Sequence, residues 1–145
     1  MIALIQRVTG AAVHIRGDCV GEIGQGVLAL IGITRADTSA DAERLLERLL
    51  TYRVFADAAG KMNLSVQQVH GAVLLVPQFT LAADTANGTR AGFSTAAEPA
   101  RARELFSYLF ERARAAYAPV SAGVFGADMQ VSLVNDGPVT FWLST

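Results

Sequence analysis

Two short stretches of this 145-residue chain carry residue types that can do chemistry. The first is Pro77-Gln78-Phe79-Thr80-Leu81, which puts an amide, an aromatic ring and a hydroxyl on three consecutive positions after the apolar run Ala72–Val76. A strand's end is a rigid mount for a site. Taken alone, however, a polar strand end with its hydrogen bonds satisfied is the simpler reading of the trio. The second is Asn135-Asp136-Gly137-Pro138, between the strand formers Met129–Val134 and Val139–Leu143. Gly137 can take positive φ or admit a close neighbour, while Pro138 fixes φ and lacks an N–H. An X–Pro linkage is also the only one at which a cis bond costs little. The default for such a Gly-Pro is a tight hairpin turn. Because proline cannot sit in a central ladder, the segment is otherwise expected at an edge, a bulge or a site.

Other chemistries find no support. His14, His70 and Cys19 are scattered without ligand spacing, so no metal site is expected. No Gly-x-Ser-x-Gly elbow is present. Gly21-Glu22-Ile23-Gly24-Gln25-Gly26 lies among short strands and does not open a helix, so neither a P-loop nor a dinucleotide fingerprint is read. No cofactor is expected.

The elements that must position the two stretches follow from periodicity. Ile2–Arg7 reads as a first strand, Thr9-Gly10-Ala11 as a turn, Ala12–Arg16 as its partner, and Gly17-Asp18 as a tight turn into Cys19–Ile23. Val27–Ile33 is almost wholly apolar, which predicts a strand buried on both faces. Thr38-x-x-Asp41 resembles a capping box. Ala42, Leu45, Leu46, Leu49 and Leu50 then form one helical stripe ending near Tyr52-Arg53. Val54-Phe55 is a short strand candidate and Asp57–Lys61 a turn. Asp84–Ala97 reads as a loop, and Glu98-Pro99 opens a second helix, apolar at Leu105, Phe106, Leu109, Phe110, Ala113 and Tyr117 and stopped by Pro119. The sum is an α+β domain over residues 1–145: a curled, antiparallel-rich sheet or partial β-barrel covered by two amphipathic helices.

Composition sets the bounds. Apolar residues make up 52% and charged residues 17%, and the mean hydropathy of +0.34 is high for a small domain. No apolar run nears the ~20 residues that span a bilayer, so the excess is assigned to core and a subunit interface. The segment Met1–Arg7 lacks the pattern of a signal peptide. A single cysteine allows no internal disulfide, which fits a reducing cytoplasm. Net charge is −1, so the molecule as a whole has no electrostatic footprint for nucleic acid, and such a partner must be held locally.

Together the two stretches resemble the signature motifs of the D-aminoacyl-tRNA deacylase family, where Ser-Gln-Phe-Thr-Leu and Asn-x-Gly-Pro-Val-Thr are usual. Met1–Val8, Gly60-Lys61-Met62-Asn63-Leu64 and Ala127–Val131 also match in order, so the resemblance covers the whole chain. It implies hydrolysis of the ester joining a D-amino acid, or glycine mischarged on tRNA-Ala, to the terminal ribose of tRNA. It further implies a cytoplasmic homodimer that holds the 3′ aminoacylated end of tRNA, with no DNA or membrane partner. By the same resemblance Gly137 and Pro138, joined by a cis peptide, reach from one subunit into the other's pocket, where backbone carbonyls exclude an L side chain. Chirality is well enforced by such a clash against the wrong hand.

The resemblance places Gln78, Phe79 and Thr80 around the ester and the terminal adenosine as catalytic residues, with Arg7, Arg90, Met129 and Phe125 binding or supporting. Backbone N–H groups near Phe79 and Thr80 are candidate oxyanion donors. Neither motif offers an obvious general base. The resemblance implies that the vicinal 2′-OH of the RNA activates water while Thr80 positions it, or that Thr80 itself is the nucleophile; the first is favoured, since a threonine hydroxyl without an adjacent base is a poor nucleophile.

Two departures bear on substrate preference. Pro77 stands where Ser is usual, and Thr89-Arg90-Ala91-Gly92-Phe93 where an Arg-Pro-Ser-Phe stretch is usual. They keep open a second class of function, a dimeric nucleotide- or amino-acid-binding module without turnover. Arg7, Arg90 and Lys61 are the candidate phosphate contacts. One or two such contacts predict a shallow salt dependence, about 0.9 per contact in the log–log slope.

Overall fold

The computed structural model describes residues 1–145. In chain order the elements are β1 (Ile2–Ile15), β2 (Asp18–Ile23), β3 (Gly26–Gly32), α1 (Ser39–Thr51), β4 (Phe55–Ala56), β5 (Met62–Leu64), β6 (Ala72–Pro77), a 3-10 turn (Phe79–Ala82), α2 (Pro99–Ala116), β7 (Val120–Ala122) and β8 (Gln130–Ser144). The main sheet runs β2-β1-β3-β6-β7, with β8 on the other edge of β1; β4 and β5 form a separate small ribbon. β1 pairs antiparallel with β2, β3 and β8, whereas β3–β6 and β6–β7 are parallel. The sheet curls until β2 nears β7: Ser121 Oγ donates to the Glu22 carbonyl at 3.2 Å, and a Cβ at Gly21 would lie 2.9 Å from the Ala122 carbonyl oxygen. This is the expected curled, antiparallel-rich, nearly closed sheet, with the parallel strands as an added feature.

Packing follows the sequence patterns. Val27, Ala29 and Ile31 of β3 point to the helices, where they meet Leu45 and Leu49 of α1 and Leu105 and Leu109 of α2. Leu28 points the other way, into the curl with Val8, Val13, Leu74 and Val76. β3 is therefore buried on both faces, as its apolar run predicts. Each such side chain contributes about 1.5–3 kcal/mol of apolar burial. Asp41 accepts from the Thr38 N–H (2.9 Å) and hydroxyl (2.7 Å) at the start of α1, and those bonds hold its carboxyl below the usual range. Glu43 ties α1 to α2 by accepting from the Tyr108 hydroxyl (2.6 Å) and the Arg112 guanidinium (2.5 Å). Tyr108 first and Arg112 second keep Glu43 low. The Met1 α-ammonium donates to Asp37 and Thr145, both at 2.6 Å, joining the start of β1 to the end of β8.

Two expectations need correction. The expected turn at Thr9-Gly10-Ala11 does not form, because β1 runs unbroken through it. On one edge β1 changes partner from β3, whose first residue Gly26 pairs with Val8, to β2, whose last residue Ile23 pairs with Ala11. On the other edge β8 pairs with both halves. The ladder hydrogen bonds outweigh the local turn preference, and the bend survives only as register shifts around Val8 and Gly10. The second correction concerns Asn135–Pro138, which is no hairpin. Gln6 pairs with Thr140 and Val8 with Asn135, so Arg7 alone stands opposite the four residues 136–139. The segment is an outsized bulge in an edge strand, one of the other placements that Pro138 allows.

The close approach of β3 and β6 yields a test. A Cβ at Gly26 would lie 1.9 Å from the Ala72 carbonyl oxygen, whereas one at Gly24 meets nothing within 4 Å. We expect Gly26→Ala to cost about 3 kcal/mol or more, a drop in Tm of roughly 6–12 °C, with Gly24→Ala within a degree or two of wild type. Thermal denaturation of both variants checks this, and equal melting would contradict it.

Candidate active site

β6 is apolar through Val76 and ends at Pro77, which has no N–H for the ladder. Pairing resumes once, through the Gln78 N–H to the Ile31 carbonyl at 2.8 Å, before the chain tightens into the Phe79–Ala82 turn. Gly32 lets the turn sit this close, since a Cβ there would lie 2.8 Å from the Leu81 Cβ. Gln78 Nε2 donates to Thr80 Oγ1 at 2.5 Å, which orients both side chains. The N–H groups of Phe79 and Thr80 open the turn and have no acceptor within the chain. The Phe79 ring is 58% exposed and lies 5.2 Å from Phe93, tilted by 45°.

Beside this turn is a cavity of about 440 Å³, walled by Pro77, Gln78 and Phe79 from the end of β6, by Pro99 and Ala102 from α2, and by Phe125–Ala127 with Met129. The Gly123–Asp128 segment is held in shape by its own contacts. Met129 Sδ accepts the Val124 N–H at 3.3 Å, the Ala127 N–H reaches the Val124 carbonyl at 3.2 Å, and Gly126 turns at φ +80°. Arg103 lays its guanidinium 5.1 Å from the centre of the Phe125 ring. No ionisable side chain lines the cavity, and no group of three or more His, Cys, Asp or Glu is placed to hold a metal. Asp41, Glu43 and Asp57, the carboxylates held low by hydrogen bonds, all lie away from it. For Asp57 the largest cause is the Asn63 amide at 2.7 Å. The cavity accordingly suits an uncharged, largely apolar ligand surface, and the turn offers paired backbone donors next to an amide and a hydroxyl.

Of the expected site residues, Gln78, Phe79, Phe125 and Met129 line the cavity, and Thr80 adjoins it through Gln78. Arg7, Arg90, Gly137 and Pro138 do not line it. The Gly137–Pro138 bond is cis and Gly137 has φ +131°. Asn135 clamps the base of the bulge, its Oδ1 accepting the Val139 N–H (3.0 Å) and its Nδ2 donating to Thr140 (2.8 Å). Arg7 grips the tip, donating through Nε to the Asp136 carbonyl (3.0 Å) and through Nη1 to the Val54 carbonyl (2.7 Å). It also pairs with the Asp136 carboxylate at 3.3 Å. With its guanidinium engaged in this way, Arg7 is a brace for the bulge. Arg90 lies in a loop closed by paired Asp84 and Gly92 main chains, and Lys61 lies in the β4–β5 connection. Phe93 and Arg103 complete the surroundings of the cavity. Helical periodicity puts Arg103 on the outer side of α2, but no spacing rule pairs it with Phe125.

A family model described as D-Tyr-tRNA(Tyr) deacylase matches residues 4–144. The chain is 62% identical over 143 residues to the D-aminoacyl-tRNA deacylase of Thioalkalivibrio sulfidiphilus, covering 99% of this chain and 96% of that protein. It is 60% identical over 145 residues to the one from Pseudomonas savastanoi pv. phaseolicola, with both chains fully covered. Among solved structures, the c-Myc DNA unwinding element binding protein superposes with a TM-score of 0.95 at 37% identity, covering 100% and 99% of the two chains. A probable eukaryotic D-amino acid tRNA deacylase shares the fold, with a TM-score of 0.86 at 16% identity over 99% and 98%.

The brace formed by Arg7 predicts local loosening when it is removed. In Arg7→Met, amide exchange at Asp136, Gly137 and Val139 is expected to rise at least about tenfold, with β1 and β3 amides unchanged. Unaltered exchange at the tip would show that Asn135 alone holds it.

Proposed function

The chain belongs to the D-Tyr-tRNA(Tyr) deacylase family, and from that membership we propose that it hydrolyses the ester of D-aminoacyl-tRNA, releasing free D-amino acid and tRNA. One observation carries the reading. The Phe79 and Thr80 N–H groups are unpartnered beside Gln78 and Thr80, at a cavity without an ionisable side chain. An aminoacyl ester has a good leaving group, so its hydrolysis requires an oriented water and donors for the developing oxyanion rather than a strong resident acid. The two N–H groups supply the donors. The 2′-OH beside the ester activates the water, taking its proton as it passes its own to the departing 3′-oxygen, and the Gln78–Thr80 pair fixes where ester and water sit. Phe79, exposed and backed by Phe93, offers a stacking face for the terminal adenine.

The active form is a homodimer. In one chain the Gly137-Pro138 bulge projects from an edge strand away from the cavity, and Val134, Phe141 and Trp142 leave exposed apolar surface along the same strand. Pairing two copies there covers that surface and brings each bulge to the other copy's cavity. Its backbone then excludes an L side chain at Cα and holds the amino group, while glycine, lacking a side chain, passes. Glycine mischarged on tRNA-Ala is therefore a substrate as well. No helix is long and apolar enough to cross a membrane, and the site of action is the cytoplasm, where tRNA is charged.

The test compares D- and L-tyrosyl-tRNA with purified protein, with and without EDTA. We expect release from the D ester, at least about 100-fold slower release from the L ester, and no effect of EDTA. Thr80→Ala should lower kcat/KM by roughly 10–100-fold, the range for a lost positioning contact, whereas a loss beyond ~10⁴ would make Thr80 a nucleophile. Tight binding of both esters without release would leave the non-catalytic binding module.

A further inference from the structure

The cavity does not end at Gly126. On the far side of Gly126 and Ala127 lies a polar groove of about 680 Å³, lined by the same two residues and by His14, Arg16, Asp18, Asp128 and Gln130. Cavity and groove thus share one low saddle. Arg103 stands at it, its Nη2 3.2 Å from where a Gly126 Cβ would be, so the guanidinium rests close against the Gly126 backbone. Neither Arg103 nor Arg16 is in an ion pair; the chain's ion pairs engage Met1, Arg7, Arg35, Arg101 and Arg112. Arg16 is held out at a β1–β2 turn position with φ +53°, followed by Gly17 at φ +93°.

We propose that this groove binds the two cytidines that precede the terminal adenosine of tRNA, a site that rests on the deacylase reading and extends it. A single-stranded RNA end leaving the cavity beside Phe125 must cross the Gly126–Ala127 saddle or turn into solvent. It passes Arg103 at the saddle and then meets Arg16, with Asp18, Asp128 and Gln130 as acceptors, in the groove lining. Phosphate contacts position the strand, while a carboxylate that accepts from the exocyclic N4 amine reads cytosine. Arg103 and Arg16 take the phosphates, Asp128 and the Gln130 amide read the bases, and the groove's volume lies within the roughly 300–1,000 Å³ of ligand clefts. Asp18 and Asp128 also explain why the groove favours an amine-bearing base over bare polyanion. The salt dependence of the whole substrate then resides in Arg103 and Arg16, in place of the Arg7, Arg90 and Lys61 expected from sequence.

The test is fluorescence anisotropy with hydrolysis-resistant 3′-amide probes carrying D-tyrosine on adenosine, CpCpA or UpUpA, alongside hydrolysis of the matching esters. Wild type should bind CpCpA at least about tenfold more tightly than adenosine, with a log–log salt slope near 1.4, about 0.7 for each of two phosphates. Arg103→Gln with Arg16→Asn, the latter chosen because asparagine tolerates positive φ, should shrink that advantage to within about twofold. Asp128→Asn, with Gln130 left in place, should at least halve the preference of CpCpA over UpUpA, and an unchanged preference would overturn base reading by Asp128. A CpCpA advantage unchanged in the double variant, or absent in wild type, overturns the groove. A variant-sensitive CpCpA advantage without hydrolysis of any ester upholds the groove and overturns the deacylase reading.

Discussion

The ladder between β1 and β8 decides where the Asp136–Val139 segment can go. Both of its flanks are pinned, Gln130–Asn135 against Val8–His14 and Thr140–Ser144 against Ile2–Gln6. Four residues must therefore fit into the space of one, and they can only bulge outward. The tip is then fixed by polar contacts rather than by packing: Asn135 closes the base, and Arg7, directly opposite, holds the Asp136 carbonyl. Arg7 occupies the position on β1 opposite the four residues that have left the ladder, which frees its side chain to follow them. A rigid projection on an edge strand is the result, and it has little to act on within its own chain.

The cavity is organised by the opposite device, an absence of charge. Its walls come from the end of β6, the first turn of α2 and the Gly123–Asp128 segment, and none contributes an ionisable group. In such surroundings a lone carboxylate or imidazole would titrate far from its usual range. Unpaired main-chain N–H groups carry no such cost, because their dipoles are fixed by the turn that holds them. The chemistry proposed for the site thus relies on geometry the backbone already has, and draws its base from the RNA.

Local patterns announce much of this. The apolar runs of β3 and β6 show that both strands are buried on two faces, the helical stripes are read correctly except that Tyr117 falls just past the end of α2, and Gln78-Phe79-Thr80 is visible as a polar trio at a buried strand's end. Pro138 restricts its segment to an edge or a bulge. What the chain order hides is long-range pairing. Thr9-Gly10-Ala11 has the composition of a turn, and pairing with β8, more than 120 residues later, together with β2 at Ala11, makes it strand. The same pairing turns an apparent hairpin at Asn135–Pro138 into a bulge. The far wall of the cavity, with Phe125 under Arg103, joins α2 to a loop twenty residues on, and periodicity carries no information about such a meeting.

The central claim is that a bulge from one chain completes the cavity of another, and subunit mixing tests it most directly. One variant carries Gln78→Ala and Phe79→Ala, with an intact bulge. The other carries Gly137→Ala, whose Cβ would lie 2.8 Å from Val139 Cγ2 and 2.9 Å from Arg7 Nη2, with an intact cavity. Each alone should be inactive on D-tyrosyl-tRNA. After dissociation and random reassociation, half the dimers are mixed and one of their two sites is whole, so about a quarter of wild-type activity should return. If the bulge served its own chain's cavity, every site would keep one defect and mixing would restore nothing.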